Sequence, residues 1–493
     1  MSTTNTLTPT QAVQIMRSRP ILIAGAGVAG RGVISMLCAL TGVDNAAENS
    51  NIAIADDHSD LATLSVSDAV NLLNNTDAGL IPELVITSPG WSPNSPLLQA
   101  AKQAGIPVIG DIEAAWLADQ AGAFGRPRTW LAVTGTNGKT TTTAMLASML
   151  VADGRGAVAV GNIGVSPAVA LTAEQRGEMR AEVLVAEVSS FQLHWAPTFT
   201  PTVGCVLNLA EDHLDWHGSF ENYAADKAAV LRAEHPVIAV DDAVVRGLPR
   251  SESAPAAYTL QDPSELSGEE FVQRVGVHEG QILELLTTPQ GVSSTVLAPA
   301  EGISPPGPAG VADAAAAAAM ARSVGVSAQA IASALGTFTV QAHRGQVVFE
   351  GDGVTWIDNS KATNPHAAEA ALRGQENVIW VAGGQLKGAS VSDLITSIAP
   401  SLKAAVVLGV DRKDIVAELA RQVPEVTCVS VDSTDPLVAM QEVVRVARGL
   451  AAPGDRVILA PAAASLDMYT GMSQRGDLFA EYVSQSSVEE GES

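Results

Sequence analysis

Cysteine is scarce in this chain of 493 residues: Cys38, Cys205 and Cys428 stand far apart, are odd in number and lack metal-ligand spacing. That excludes a disulfide framework and a thiolate metal site, and it points to buried free thiols in a reducing compartment. Positive charge is scarce too. Lys and Arg number 28 against 53 Asp and Glu, a net charge of −25. Such a chain repels nucleic acid and anionic membrane at long range, so no nucleic-acid partner is expected. A polyanionic substrate would need a local pocket of Lys, Arg, loop amides or metal. Long apolar runs are also missing. The most apolar stretch, Ile21 to Leu40, holds four glycines and Arg31 and lacks a cleavage site. Neither a signal peptide nor a membrane span is expected there, and the protein reads as cytoplasmic.

What is present is a hydrophobic share of 47% on a chain too long for one core, which implies several folded domains. Short apolar strands alternate with helical patterns, the signature of parallel sheets with right-handed crossovers. "ILIA", "NIAIADD", "ELVITSPG" and "GIPVIGD" make a first series. "GAFGRPRTW" reads as a linker, and "WLAVTG", "AEVLVAEV" and "PTVGCVL" continue beyond it. Between residues 250 and 310 the pattern changes to "FVQRVGV", "QILELL" and "GVSSTVLA", an antiparallel patch at a sheet edge. "GVADAAAAAAMARSVG" is an Ala-rich helix. "NVIWVAGG", "AAVVLGV", "VTCVSV" and "RVILAPAAAS" form a third series, and the polar tail from Ser484 is expected to fray.

Two glycine loops carry the first chemical signal. "VTGTNGKTTT" falls between a strand and a helix but is shorter than the common phosphate loop, whose first glycine would fall at Val133. Gly135 and Gly138 let backbone N–H groups turn toward an anion, with Thr136, Asn137 and Thr141 in the same loop and helix N-terminus. Lys139 adds charge for the β/γ-phosphates, and the Thr140 hydroxyl suits Mg²⁺. "GAGVAG", residues 25–30, fits a second phosphate loop, with Asp56 and Asp57 ending the next strand. By itself this second loop is compatible with NAD, FAD or the UDP part of a substrate, and a tight packing turn competes with all three. A nicotinamide-dependent oxidoreductase would explain it and leave the central loop without a role. A nucleotide-driven switch would explain the central loop alone.

The polar side chains gather at strand ends. Glu187 closes "LVAEV", where a hard oxygen ligand for Mg²⁺ belongs. "NLAEDHLDWHG" offers Glu211, Asp212, His213, Asp215 and His217; His213 is the metal candidate, and the others read mostly as solvated or capping groups. Lys227 reads by composition as a surface lysine. Lys361 and Thr363 in "DNSKATNP", Lys387 in "AGGQLKG" and Ser465 in "LAPAAASLD" form a cationic, hydroxyl-bearing rim suited to a small carboxylate.

Taken together, "GTNGKTTT", "EVSSFQL", "NLAEDHLDWHG", the His343–Arg344 pair, "DNSKATNP" and "SLDMYTGMSQRGDLF" resemble the Mur ligases of peptidoglycan synthesis over nearly the whole chain. "DNSKATNP" is similar to the branch that adds D-glutamate; sister ligases tend to carry Asp-Tyr-Ala-His there, or elsewhere an Asp-Asn-Pro-Arg signature that this chain lacks. The resemblance implies an α/β protein of three domains in series. They are a Rossmann-like substrate domain at 1–125, a central P-loop-type ATPase domain at 126–340, and a Rossmann-like amino-acid domain at 341–493. It implies ATP-dependent joining of D-glutamate to UDP-N-acetylmuramoyl-L-alanine through an acyl phosphate, by a monomer. Two Mg²⁺ ions are implied, held by Thr140 and Glu187 and by His213 and Lys227, the last as a carbamate formed with CO₂. Arg344 and Asp358 would serve ATP. Asn162 would meet the muramoyl-alanine end, while UDP would lie at Gly25, Gly27, Val28, Ala29, Asp56, Ser88, Pro89 and Gly90. Lys361, Thr363, Lys387, Ser465 and Met472 would surround D-glutamate. The chain departs from the pattern at Gly310 and Asp313, where an Asn pair usually holds adenine. It departs again at Asn359, where Asp is common, and at Met472, where an aromatic is expected.

Overall fold

The computed structural model describes residues 6–45, 50–75, 81–340 and 342–489. It bears out the α/β reading with three sheets. By their contacts the residues fall into two compact units, Met1–Ala298 with Ala315–Ala334, and Pro299–Ala314 with Leu335–Ser493.

The first unit holds two sheets. Strands Ile52–Ala55, Ile21–Ala24, Leu84–Thr87 and Val108–Gly110 lie side by side in that order, all parallel. The central strands are buried on both faces, which is why they read as continuous apolar runs rather than alternations. The second sheet has nine strands. Its parallel core runs from Ala157–Gly161 through Val183–Glu187, Thr129–Thr134 and Val203–Val206 to His235–Ala239. The expected edge patch is there: Gln273–His278 pairs antiparallel with Gln281–Thr288, and Gly291–Pro299 lies outermost.

"GAFGRPRTW" is not a loose linker. Phe124 is buried, and the Arg128 guanidinium bonds to the Asp119 carboxylate at 2.7 Å and to the carbonyls of Leu171 and Ala181. The Trp130 indole donates to the same Asp119 at 2.9 Å. A Gly/Pro/Arg-rich composition concealed a buried ion pair, since arginine shows its burial only through its partners. Further contacts tie the two sheets together. Gln192 donates to Asp111 at 3.0 Å, Thr198 N–H donates to Glu113 at 3.0 Å, and a Cβ on Gly110 would strike the Trp195 side chain.

The second unit is a six-stranded sheet, with Gln346–Gly351 antiparallel at one edge and five parallel strands beyond it. Helices cover both faces, one apolar cluster forming around Trp380, Ile395 and Ile415 and the other around Trp356, Val443 and Phe479. The Ala-rich helix forms as expected, Pro308–Ser323, and the unit boundary runs through it. The last helix, Met472–Glu489, continues past Ser484, so the expected fraying does not begin there; residues 490–493 lie outside the described ones. More than one helix escaped the sequence reading, Ala328–Thr337 and Pro9–Ser18 among them. Pro9–Ser18 opens on a capping box, with the Thr8 side chain accepting from Gln11 N–H and the Gln11 side chain answering, a signal present in "TPTQ". The free cysteines are buried at Cys38 and Cys205 and half-buried at Cys428.

Candidate active site

The central loop follows strand Thr129–Thr134 and feeds helix Lys139–Ala152. Gly135 has φ of 156° and Gly138 of 81°, conformations that β-carbons disfavour. Asn208, which the sequence reading missed, fixes the loop from the neighbouring strand's end: its side chain accepts from Asn137 N–H at 2.8 Å and donates to the Asn137 carbonyl at 3.2 Å. Thr136 Oγ1 lies 2.9 Å from the Tyr223 hydroxyl. The Lys139 ammonium donates to the carbonyls of Gly135 at 3.0 Å and Thr136 at 2.8 Å.

Thr140 and Glu187 meet. The hydroxyl donates to Glu187 Oε2 at 2.6 Å, and the carboxylate is 1% exposed. Asn162 donates to Glu187 Oε1 at 2.9 Å, so two of the expected residues, Thr140 and Asn162, meet on the Glu187 carboxylate. A buried hydroxyl and carboxylate on adjoining elements form a hard oxygen pair of the kind Mg²⁺ takes. Among the described residues no three His, Cys, Asp or Glu gather as a metal cluster. Mg²⁺ commonly draws its remaining ligands from phosphates and water, so a sparse protein set still fits it.

Lys227 is not a surface lysine. It is 2% exposed, and its ammonium donates to the Gly135 carbonyl at 2.8 Å and Thr134 Oγ1 at 3.2 Å. Burial, and after it the neighbouring charge of Lys139, push its pKa well below the ordinary lysine value, toward the neutral amine. A helical position with one charged side chain in a polar sequence gave no sign of this. His213 stands apart: its side chain is 48% exposed, its backbone is left-handed with φ of 52°, and its nearest acid is Asp212 at 3.5 Å.

Glu211 and Asp215 are exposed, as expected for most of His213's neighbours, and His217 is the exception. Its side chain is buried, Nδ1 lies 2.9 Å from Asp226 Oδ2, and Nε2 lies 3.0 Å from Ser190 Oγ. His194 Nδ1 approaches the same Asp226 oxygen at 3.0 Å. The spacing of these four residues shows no period that would have announced them.

At "GAGVAG", Gly25 has φ of 88°, Gly27 caps helix Val28–Thr41, and a Cβ on Gly30 would collide with the Gly25 carbonyl. Val28 is 85% exposed at that helix N-terminus. Ser88 Oγ donates to the Gly25 carbonyl at 2.9 Å, which places the Ser88-Pro89-Gly90 turn beside the loop. Asp56 works as a cap: its carboxylate accepts N–H groups from Ala26, His58 and Ser59, which hold its pKa below the ordinary value.

In the second unit, strands Val354–Asp358, Arg456–Leu459 and Val378–Gly383 are adjacent and parallel. Their C-terminal ends lead into Lys361 and Thr363, Ser465, and Lys387, so the expected rim forms on one edge of one sheet. Lys361 and Lys387 are exposed, Thr363 and Met472 are half-buried, and Ser465 is buried. Asp358 is fully buried and takes His343 Nδ1 at 2.7 Å; a Cβ on Gly476 would collide with both. Desolvation pushes the Asp358 pKa up, against the His343 hydrogen bond. Arg344 is half-buried. Arg475, unnoticed in the sequence, is fully buried and ties the rim together. It donates to Ser360 Oγ at 3.0 Å and to the carbonyls of Ser360 at 2.9 Å, Ala463 at 3.1 Å and Gly383 at 3.2 Å. A Cβ on Gly310 would strike the Pro305 carbonyl, so the Asn common there has no room for its side chain.

The chain is similar to known proteins. The family model described as Mur ligase middle domain matches residues 133–290, and that described as Mur ligase, glutamate ligase domain matches residues 343–463. A Corynebacterium jeikeium protein named UDP-N-acetylmuramoylalanine–D-glutamate ligase is 64% identical over 490 residues, covering 98% of this chain and 96% of its own. A Mycolicibacterium smegmatis protein of the same name is 44% identical, covering 93% and 95%. Among solved structures, the UDP-N-acetylmuramate-alanine ligase of Thermotoga maritima superposes with a TM-score of 0.54 at 16% identity over 95% of this chain and all of that one. A MurF ligase from the same organism, solved with ADP, gives 0.52 at 17% identity over 96% and 97%. At such identities the two structures speak for the fold alone, while the sequence relatives, matched almost end to end, establish that this chain belongs to the Mur ligase family.

Proposed function

We propose that this ATP-dependent ligase adds D-glutamate to UDP-N-acetylmuramoyl-L-alanine, in the cytoplasm, during peptidoglycan precursor synthesis. The observation that carries the chemistry is the buried Thr140–Glu187 contact at the mouth of the Gly135–Gly138 loop. The printed names of the relatives supply the substrates. No helix among the described residues is long and apolar enough to cross a membrane, which agrees with soluble substrates.

A carboxylate does not react with an amine until one oxygen becomes a good leaving group. The L-alanine carboxylate of the substrate attacks the γ-phosphorus of ATP; the bond to the β-bridging oxygen breaks, leaving ADP and an acyl phosphate. The D-glutamate amine then adds to the acyl carbon, loses a proton, and expels phosphate as the amide forms. Both anions in the first step repel each other, so the site must supply positive charge and oriented donors. Lys139 and the loop residues Gly135, Thr136, Asn137, Gly138 and Thr141 bind the phosphates, and Arg344 and Asp358 serve the nucleotide. Asn162 holds the acyl end while Glu187 holds Asn162. The first sheet's loop, with Gly25, Gly27, Val28, Ala29, Asp56 and Ser88-Pro89-Gly90, takes UDP over a helix N-terminus. Lys361, Thr363, Lys387, Ser465 and Met472 receive D-glutamate, the two lysines matching its two carboxylates.

Thr140 and Glu187 would hold one Mg²⁺, and His213 and Lys227 a second. When bound, Mg²⁺ screens the phosphate charge. Lys227 fits the carbamate: a buried amine held toward neutrality adds to CO₂, releases one proton, and becomes an anion with two oxygens. A monomer of three domains, 1–125, 126–340 and 341–493, completes the proposal.

Mass analysis of the product tests it. UDP-N-acetylmuramoyl-L-alanine should gain one glutamate residue only with ATP and D-glutamate present together; no product with D-glutamate, but product with another amino acid, moves the protein to a sister ligase.

A further inference from the structure

The residues around Asp226 have no part in the chemistry above, yet they form a continuous chain through the site. Asp226 Oδ2 takes His217 Nδ1 at 2.9 Å and His194 Nδ1 at 3.0 Å, and His217 Nε2 lies 3.0 Å from Ser190 Oγ. An ionised carboxylate only accepts, so His217 Nδ1 carries the proton and Nε2 takes the Ser190 hydroxyl. These bonds join three short helices, Ser190–His194, Leu214–His217 and Phe220–Ala228. The first begins three residues after Glu187, the second follows His213, and the third carries Lys227. The Phe191 ring stacks on His217 with an interplanar angle of 4° and also touches the His213 ring at 4.7 Å between centroids. Asn222 adds a bond to the His217 carbonyl at 3.0 Å.

Helices this short have little stability of their own, so side-chain ties set their orientation. The ammonium of Lys227 donates to Gly135 O in the loop and to Thr134 Oγ1 at the strand end, and it lies 4.9 Å from the centroid of the Tyr223 ring on its own helix. Its placement depends on the helix, and the helix is tied at the preceding residue.

We propose that His217 is a positioning residue: through Asp226 it sets the helix that presents Lys227, with Ser190 holding the imidazole in the tautomer that the task needs. This is the arrangement in which an outer shell of hydrogen bonds orients a metal-binding side chain. The inference rests on the carbamate part of the proposed function.

The test measures the lysine carbamate directly. The full-length protein is equilibrated with ¹³C-bicarbonate and the carbamate carbon is integrated by NMR, without ATP. The inference expects His217→Leu to lower the signal by about 10- to 100-fold at fixed bicarbonate, with recovery as bicarbonate is raised. His217→Asn, which keeps an N–H toward Asp226, should retain more of the signal than His217→Leu. Asp226→Asn provides a second route should His217→Leu fail to fold, and it too should lose signal. Equal carbamate occupancy in the wild type and the folded variants, with only the melting temperature lowered, overturns the inference. Absence of the carbamate carbon from the wild type also overturns it, while phosphate release with D-glutamate would still uphold the ligase reading.

Discussion

Thr140 donates its hydroxyl proton to Glu187 at 2.6 Å, joining the first turn of the phosphate-loop helix to the end of the neighbouring parallel strand. The contact lies where an open α/β sheet binds its ligands, beyond the carboxyl ends of the strands. Thr140→Ala should lower kcat by roughly 10²-fold and raise the Mg²⁺ concentration needed, whereas Thr140→Ser, which keeps the hydroxyl, should retain most activity. Steady-state kinetics over a Mg²⁺ series checks both; an alanine variant with wild-type Mg²⁺ response contradicts the assignment.

Lys227→Ala should lower turnover by about 10³-fold. Acetate or another small acid should partly restore it by supplying the missing oxygens. Full activity without rescue would remove Lys227 from the metal site.

How much of this was legible in the sequence follows from how each feature is encoded. The phosphate loop and the strands announce themselves because they are local: Gly135 to Thr140 is one contiguous stretch, and buried parallel strands are runs of apolar residues. The strand-end rule then placed Glu187, Lys361, Lys387 and Ser465 at the carboxyl edges of the sheets. What failed to show was burial of charge. Arg128, Arg475, His217 and Lys227 owe their positions to partners 9 to 115 residues away, such as Asp119 for Arg128 and Ser360 for Arg475. A single sequence read by composition assigns such groups to solvent. Only the resemblance suggests a carbamate at Lys227, and the burial of its amine is the physical setting the proposal draws on.

Asp111 predicts a pH effect on stability. Burial raises its pKa from 3.8 to about 6 in the folded protein, against the hydrogen bond from Gln192. The folded state therefore binds this proton more tightly than the unfolded chain, and stability attributable to Asp111 falls as pH rises from 3.8 through about 6. Asp111→Asn keeps an acceptor for Gln192 and removes the charge. It should be more stable than wild type at pH above 7, by roughly 2–3 kcal/mol, with the advantage vanishing toward pH 4. Chemical denaturation across that range checks the slope; parallel curves contradict it.

Arg475 lies beneath the rim proposed to receive D-glutamate and bonds to Ser360, Gly383 and Ala463. Its replacement by Met should cost about 3 kcal/mol or more, because the carbonyls of Ser360, Gly383 and Ala463 would lose a buried donor. Among folded molecules at reduced temperature, the KM for D-glutamate should rise more than the KM for ATP. Equal changes in both would place the role of Arg475 in stability alone.

The central claim is tested most directly by phosphate release from ATP and Mg²⁺ with UDP-N-acetylmuramoyl-L-alanine and a panel of amino acids. The account predicts release with D-glutamate, stoichiometric with ADP, and none with L-glutamate or diaminopimelate. Silence with D-glutamate, alongside release with another amino acid or with none, would contradict it.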